Sequence, residues 1–106
     1  DDDQVEVEVV LRTFGPSSPI DSELYQVMER AIRNTVEDAV VVPWVGAGFT
    51  DSRVFRRLGY PAYGFVPMFL PPEDQTIAHG NDERIQIEGM RLGMQILHDT
   101  VRGICG

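Results

Sequence analysis

Ala39-Val40-Val41-Val42-Pro43-Trp44, followed by Val45-Gly46-Ala47-Gly48-Phe49-Thr50-Asp51, Ser52-Arg53-Val54-Phe55-Arg56-Arg57-Leu58-Gly59 and Tyr60-Pro61-Ala62-Tyr63-Gly64-Phe65-Val66, is the stretch that decides the expected fold. Its first block is apolar without alternation, the pattern of a strand covered on both faces. Pro43 lacks an N–H and belongs near the strand end. A short helix is expected over Ser52–Leu58, stopping at Gly59, the residue type favoured just past a helix. Ala62–Val66 then reads as a second covered strand. Strand, loop, helix and strand make a βαβ unit, and so short a crossover argues for neighbouring parallel strands. The expected class is α/β: a partial three-layer open sheet built on this parallel unit. The loops Gly46–Asp51 and Pro67–Gly80 would then leave the same sheet edge, where open α/β proteins place ligands.

Outward from this unit the pattern changes. Val5–Leu11 alternates valines with Glu6 and Glu8, as a strand with one wet face does. Gly15-Pro16-Ser17-Ser18-Pro19 is a connector and a candidate domain junction. Asp21 or Ser22 offers an N-cap, and Leu24, Val27, Met28, Ala31 and Ile32 follow at helical spacing to about Asn34-Thr35. Pro67–Gly80 has neither period and is long for a bare connection, a feature of functional loops. A final helix is expected from Ile87 to about Arg102, with Ile87, Met90, Met94, Leu97 and Val101 as its apolar stripe. Gly89 and Gly93 on this helix imply close packing against the sheet.

Composition bounds the functions. The 106 residues fit one domain or a piece of one, with a net charge of −8. Such acidity repels phosphate backbones and anionic headgroups, so neither nucleic acid nor membrane is an expected partner. The apolar runs are too short to span a bilayer, and no basic start followed by an apolar run marks a signal peptide. Cys105 is the single cysteine, which excludes an intrachain disulfide or a cysteine-based zinc knuckle and is compatible with the cytoplasm.

Three blocks carry a resemblance: Gly48-Phe49-Thr50-Asp51-Ser52-Arg53-Val54-Phe55-Arg56, Gly59-Tyr60-Pro61-Ala62-Tyr63-Gly64-Phe65 and His79-Gly80-Asn81-Asp82-Glu83-Arg84-Ile85. In that order and spacing they resemble the C-terminal part of the zinc aminoacylase/carboxypeptidase family, which includes acetylornithine deacetylase and succinyl-diaminopimelate desuccinylase. The resemblance covers about residues 17 to 103. It implies that residues 15–106 are the C-terminal segment of a zinc-exopeptidase catalytic domain. By position, residues 1–14 resemble the last strand of the family's lid or dimerisation domain. The implied parent is a dinuclear zinc amidohydrolase or exopeptidase hydrolysing amide bonds of N-acyl amino acids or small peptides, with Co or Mn as possible substitutes.

The resemblance makes His79 a metal ligand and the Gly48–Thr50 loop a binder of the substrate carboxylate. Imidazole is a neutral donor near pH 7 and a common zinc ligand. A glycine-containing loop entering a helix N-terminus presents N–H groups to an anion. The family often shows Gly-Gly-Thr-Asp where this chain has Gly48-Phe49-Thr50-Asp51, so the second glycine is missing. The structural alternative is that Thr50 or Asp51 caps the short helix. Arg53 and Arg56 can pair with carboxylates or stand exposed. Asp82 and Glu83 read as charge balance for the following turn before support for His79, and His98 as a surface residue. Trp44, Tyr63 and Phe65 read as core, and Phe49 as a candidate pocket residue.

The family's His-x-Asp block and Glu-Glu pair are absent here. The chain therefore holds no catalytic residue of its own and is expected to be inactive alone. The expected partners are the N-terminal half of the catalytic domain, the substrate and, through exposed sheet edges, further copies of the chain. The alternatives are a non-enzymatic acidic α/β interaction module that kept the fold, or a subunit completed by another chain.

Overall fold

Ser22 starts the first helix as its sequence suggests. In a computed structural model of the chain, which describes residues 4–10, 12, 15–46, 48–68, 70–74 and 78–106, the Ser22 hydroxyl accepts the Tyr25 N–H at 3.1 Å. Helix α1 runs Glu23–Thr35, with Glu23 in its first turn and Arg33 in its last, each suited to the helix dipole. Its stripe buries Val27, Met28 and Ala31. Helix α2 runs Ser52–Arg57. It ends at Gly59 with φ +87°, where the Gly59 N–H bonds Arg56 O at 3.1 Å and the Tyr60 N–H bonds Phe55 O at 3.0 Å. That pair of bonds is the Schellman stop, and the left-handed residue within it favours glycine. A 3-10 turn covers Pro72–Asp74, and helix α3 runs Ile87–Cys105.

The expected sheet is not there. Among the described residues no strand forms, neither over Ala39–Trp44, nor over Ala62–Val66, nor over Val5–Val10; Leu11 lies outside the described residues. The parallel βαβ unit, the open three-layer sheet and the shared sheet edge are therefore withdrawn. An unbroken apolar run reports a surface suited to being covered, but it does not supply the ladder partner that a strand needs. Here Val40, Val42 and Trp44 are 81%, 67% and 84% exposed. The Ala62 backbone is satisfied by side chains instead. Ser18 Oγ donates to Ala62 O and accepts the Ala62 N–H, both at 2.9 Å. Arg56 Nε also donates to Ala62 O, at 2.7 Å.

The packed part of the chain is α1 against α3. Buried apolar residues are Val27, Met28, Ala31 and Ile96. The α3 face that is buried consists of Gly89, Gly93, Ile96 and Thr100. The stripe read from the sequence is exposed, from Ile87 through Met90, Met94 and Leu97 to Val101. Small residues win this face because they let backbone come close. A Cβ on Gly93 would lie 2.3 Å from Pro67 O, and one on Gly103 would lie 2.6 Å from a Val27 methyl. Gly93 is thus closely packed as expected, but against the Pro67 carbonyl and not a sheet. The radius of gyration is 17.4 Å, against about 13 Å for a compact domain of this length. The chain does not close around a core of its own.

Candidate functional site

The loop entering α2 carries the first candidates. Gly48, Phe49 and Thr50 are all exposed. Asp51 occupies the N-cap of α2, yet its side chain makes no capping bond. The turn is held by backbone alone, with Val54 N–H to Asp51 O at 2.9 Å and Arg53 N–H to Thr50 O at 3.4 Å. Side-chain capping by Thr50 or Asp51 is therefore corrected: a type I-like start places Asp51 in the α region (φ −67°, ψ −12°), whereas a capping carboxylate needs an extended residue. The Arg53 guanidinium lies 6.0 Å from the centre of the Phe49 ring, the outer limit of a cation–π contact. That contact keeps one cation beside the loop.

His79 is exposed and has φ +66°, the left-handed region that few non-glycine residues adopt. Its N–H donates to Glu83 Oε2 at 3.2 Å. Glu83 thus closes the turn through the backbone and leaves the imidazole unengaged by it. Asp74 and Arg84, five residues to either side of His79, are joined by an ion pair. Arg84 Nη2 lies 2.5 Å from Asp74 Oδ1. Asp74 is only 7% exposed. Oδ1 has no hydrogen bond of acceptable angle, so the contact is a close charge pair without a directed bond. His98 is on exposed α3 surface, with Nδ1 3.1 Å from Asp99 Oδ1. The Asp99 carboxyl is held below its ordinary value first by the Gln95 amide, then by His98.

Among the described residues no hydrogen bond or ion pair joins Gly48–Thr50 to His79. Two surface depressions among the described residues lie elsewhere. One, of about 160 Å³, is lined by residues that include Ser18, Ser22, Arg56 and Tyr60. Beside it Tyr63 Oη donates to Pro19 O and contacts Ser22 Oγ, each at 2.5 Å. Ser18, Ser22, Arg56 and Tyr63 thus stitch the connector, α1 and the segment after α2 into one node. The sequence leaves Arg56 either paired with a carboxylate or exposed and puts Tyr63 in a strand; their bonds to Ser18, Ser22 and Pro19 span 38 to 44 positions, and no periodicity reports that. The other depression, about 220 Å³, lies between α1 and α3 beside Asp99 and Gly103.

The donor set bears on the metal that the resemblance implies. The His79 imidazole, exposed at a turn, fits as one zinc donor by its chemistry. Among the described residues no group of three or more metal-binding side chains forms. Among the described residues, His79 is thus a candidate donor that stands outside any such group. No helix among the described residues is long and apolar enough to cross a membrane.

Comparison with known proteins gives the family. The model of peptidase family M20/M25/M40 matches residues 3–103. The chain is 39% identical over 97 residues to the N-fatty-acyl-amino acid synthase/hydrolase PM20D1 of Xenopus tropicalis, covering 89% of this chain and 19% of that protein. It is 28% identical over 98 residues to the human protein of the same name, covering 88% of this chain and 20% of that one. It is also 28% identical over 103 residues to the "Probable carboxypeptidase S-like 2" of Dictyostelium discoideum, covering 95% and 20% respectively. The chain spans about a fifth of the length of these relatives. No solved structure gives a significant match. With nearly its whole length matched by the family model, the chain is a member of peptidase family M20/M25/M40.

Proposed function

We propose that the chain is the C-terminal segment of a metal-dependent amidohydrolase that cleaves the amide bond of N-acyl amino acids or small peptides, and that it is inactive alone. The observation that carries this reading is the family match over residues 3–103. The names of the relatives, an acyl-amino acid synthase/hydrolase and a carboxypeptidase-like protein, agree with it. In both substrate classes the scissile amide sits beside a free carboxylate.

The residues divide the work as follows. His79 holds metal as a neutral donor, completed by ligands from the rest of the parent protein. Bound zinc supplies Lewis acidity at the amide carbonyl. Gly48 and Thr50 bind the substrate carboxylate through the loop that enters α2, where N–H groups face an anion favourably. The remaining ligands and the general base come from the N-terminal half of the catalytic domain.

The test compares two proteins. The 106-residue chain with added zinc should show no hydrolysis of N-acyl amino acids or dipeptides. The full-length protein should hydrolyse one of these classes, and His79→Ala should remove most of that activity and lower its metal content. Turnover by the chain alone, abolished by a chelator, would refute the division of labour.

A further inference from the structure

We infer that Asp74 and Arg84 form a clasp that sets the presentation of His79, and so act as positioning residues for the metal site. The inference rests on the reading of His79 as a ligand. Its own basis is geometric. His79 sits midway between the two residues, five positions from each (79 − 74 and 84 − 79). The Arg84 side chain, 61% exposed, reaches inward to a carboxylate that is 7% exposed, at 2.5 Å.

A buried carboxylate is an expensive way to fill space. It must lose its hydration, and here Oδ1 recovers no directed hydrogen bond. An apolar residue of similar volume would fit such a site at no loss, since buried ion pairs seldom improve on hydrophobic replacements. What the pair provides is a fixed geometry. Asp74 is anchored at the end of the 3-10 turn, its N–H bonded to Pro71 O at 2.9 Å. Arg84 lies two residues ahead of the α3 N-cap, Gln86. The ion pair therefore fastens the chain just upstream of α3, at Arg84, to the buried Asp74 carboxylate at the end of the 3-10 turn. The Glu83 bond to the His79 N–H then fixes the turn itself. Together they hold a left-handed histidine in a conformation that a free loop would seldom visit. A ligand so held loses less freedom when it binds metal, and partners of this kind typically change metal affinity by about 10–100-fold.

The experiment uses the full-length protein, stripped of metal and titrated with zinc against a competing chelator. Apo-state melting is recorded in parallel. Arg84→Met should weaken the tightest zinc binding about 10–100-fold and lower the apo melting temperature, because it strands a buried charge. Adding Asp74→Asn to it should recover much of the melting temperature, since the stranded charge is gone, yet leave zinc binding weak. That split is the signature of positioning, because a purely structural pair would lose and regain both together. Arg84→Lys keeps the charge and should retain most of the affinity, and it serves where Arg84→Met does not fold. Wild-type zinc affinity in Arg84→Met or in the double variant overturns the clasp. His79→Ala with unchanged zinc affinity overturns the ligand assignment and the clasp with it. Weakened binding in His79→Ala alongside unchanged binding in Arg84→Met overturns the clasp alone.

Discussion

Replacing Gly93 with alanine tests the packing of α3 at its tightest point. The new Cβ would lie 2.3 Å from Pro67 O and 3.2 Å from Met68 Cγ. Ordinary contact begins at 3.4 Å, so helix and carbonyl must part by 1.1 Å (3.4 − 2.3). The obstacle is backbone and cannot rotate away. Overpacking of this kind costs about 1–3 kcal/mol. Alanine returns up to about 1 kcal/mol of helix propensity. With that full return the net loss is about 0–2 kcal/mol, up to a factor of roughly 30 in the opening equilibrium. Gly103→Ala is the control. Its Cβ meets one Val27 methyl at 2.6 Å and the rest of that side chain at 3.8 Å. A rotamer change relieves that contact at about 0.5–1.5 kcal/mol, offset by the same helix gain, so the result is near neutral. Hydrogen exchange read by mass spectrometry on α3 peptides of the full-length protein measures both. Faster exchange is expected around residues 90–97 in Gly93→Ala only. Unchanged or slower exchange there would show that Pro67 is not seated on the helix.

Ser22→Ala removes both the α1 cap and a partner of Tyr63; a loss of about 1 kcal/mol is expected by urea titration, and no loss would mean that the cap is unmade in solution. Glu88 is held below its ordinary carboxyl value of 4.5 first by its hydrogen bond to Arg91, against an opposing desolvation, and lastly by the Arg91 charge. Because that value is depressed on folding, its stabilising contribution is present above the unfolded value and fades as pH falls through the folded one. Arg91→Ala should therefore raise the Glu88 titration midpoint in an NMR pH series, and identical midpoints would dismiss the pair. The 106-residue chain by itself should associate and bind a hydrophobic dye through Val40, Val42, Trp44 and the open α3 stripe; a dye-silent monomer by light scattering at high concentration would contradict the exposed surface described above.

The helices were legible because their signals are local. Ser22, the α1 stripe and Gly59 each act within one or two turns, and the observed ends follow them. The strands were misread because Ala39–Trp44 and Ala62–Val66 show only that a surface is apolar. Whether a ladder forms depends on a partner that the pattern does not name. The buried face of α3 was also misread. Hydropathy favours Ile87, Met90 and Leu97, while close approach favours Gly93 and Thr100, and closeness carries no hydropathic mark. Of the candidate site, His79, Gly48 and Thr50 came from resemblance, and no pattern in the chain says whether residues 29 positions apart meet (79 − 50). Asp74 was missed altogether. A carboxylate in a loop reads as solvated, and its ion-pair partner Arg84 lies ten positions on (84 − 74).

The glycines of α3 also work as a key. Sliding the helix by one turn, about 5.4 Å, moves each contact by four residues. In one direction Gly89 would meet Pro67 without harm, but Asp99 would replace Gly103 beneath the Val27 methyl. In the other direction Leu97 would be driven into the Pro67 carbonyl. A single glycine would tolerate a neighbouring register; two, ten positions apart and facing different obstacles, admit only one. A helix locked against sliding fixes where its first residue stands, and with it the point from which the chain turns back toward His79.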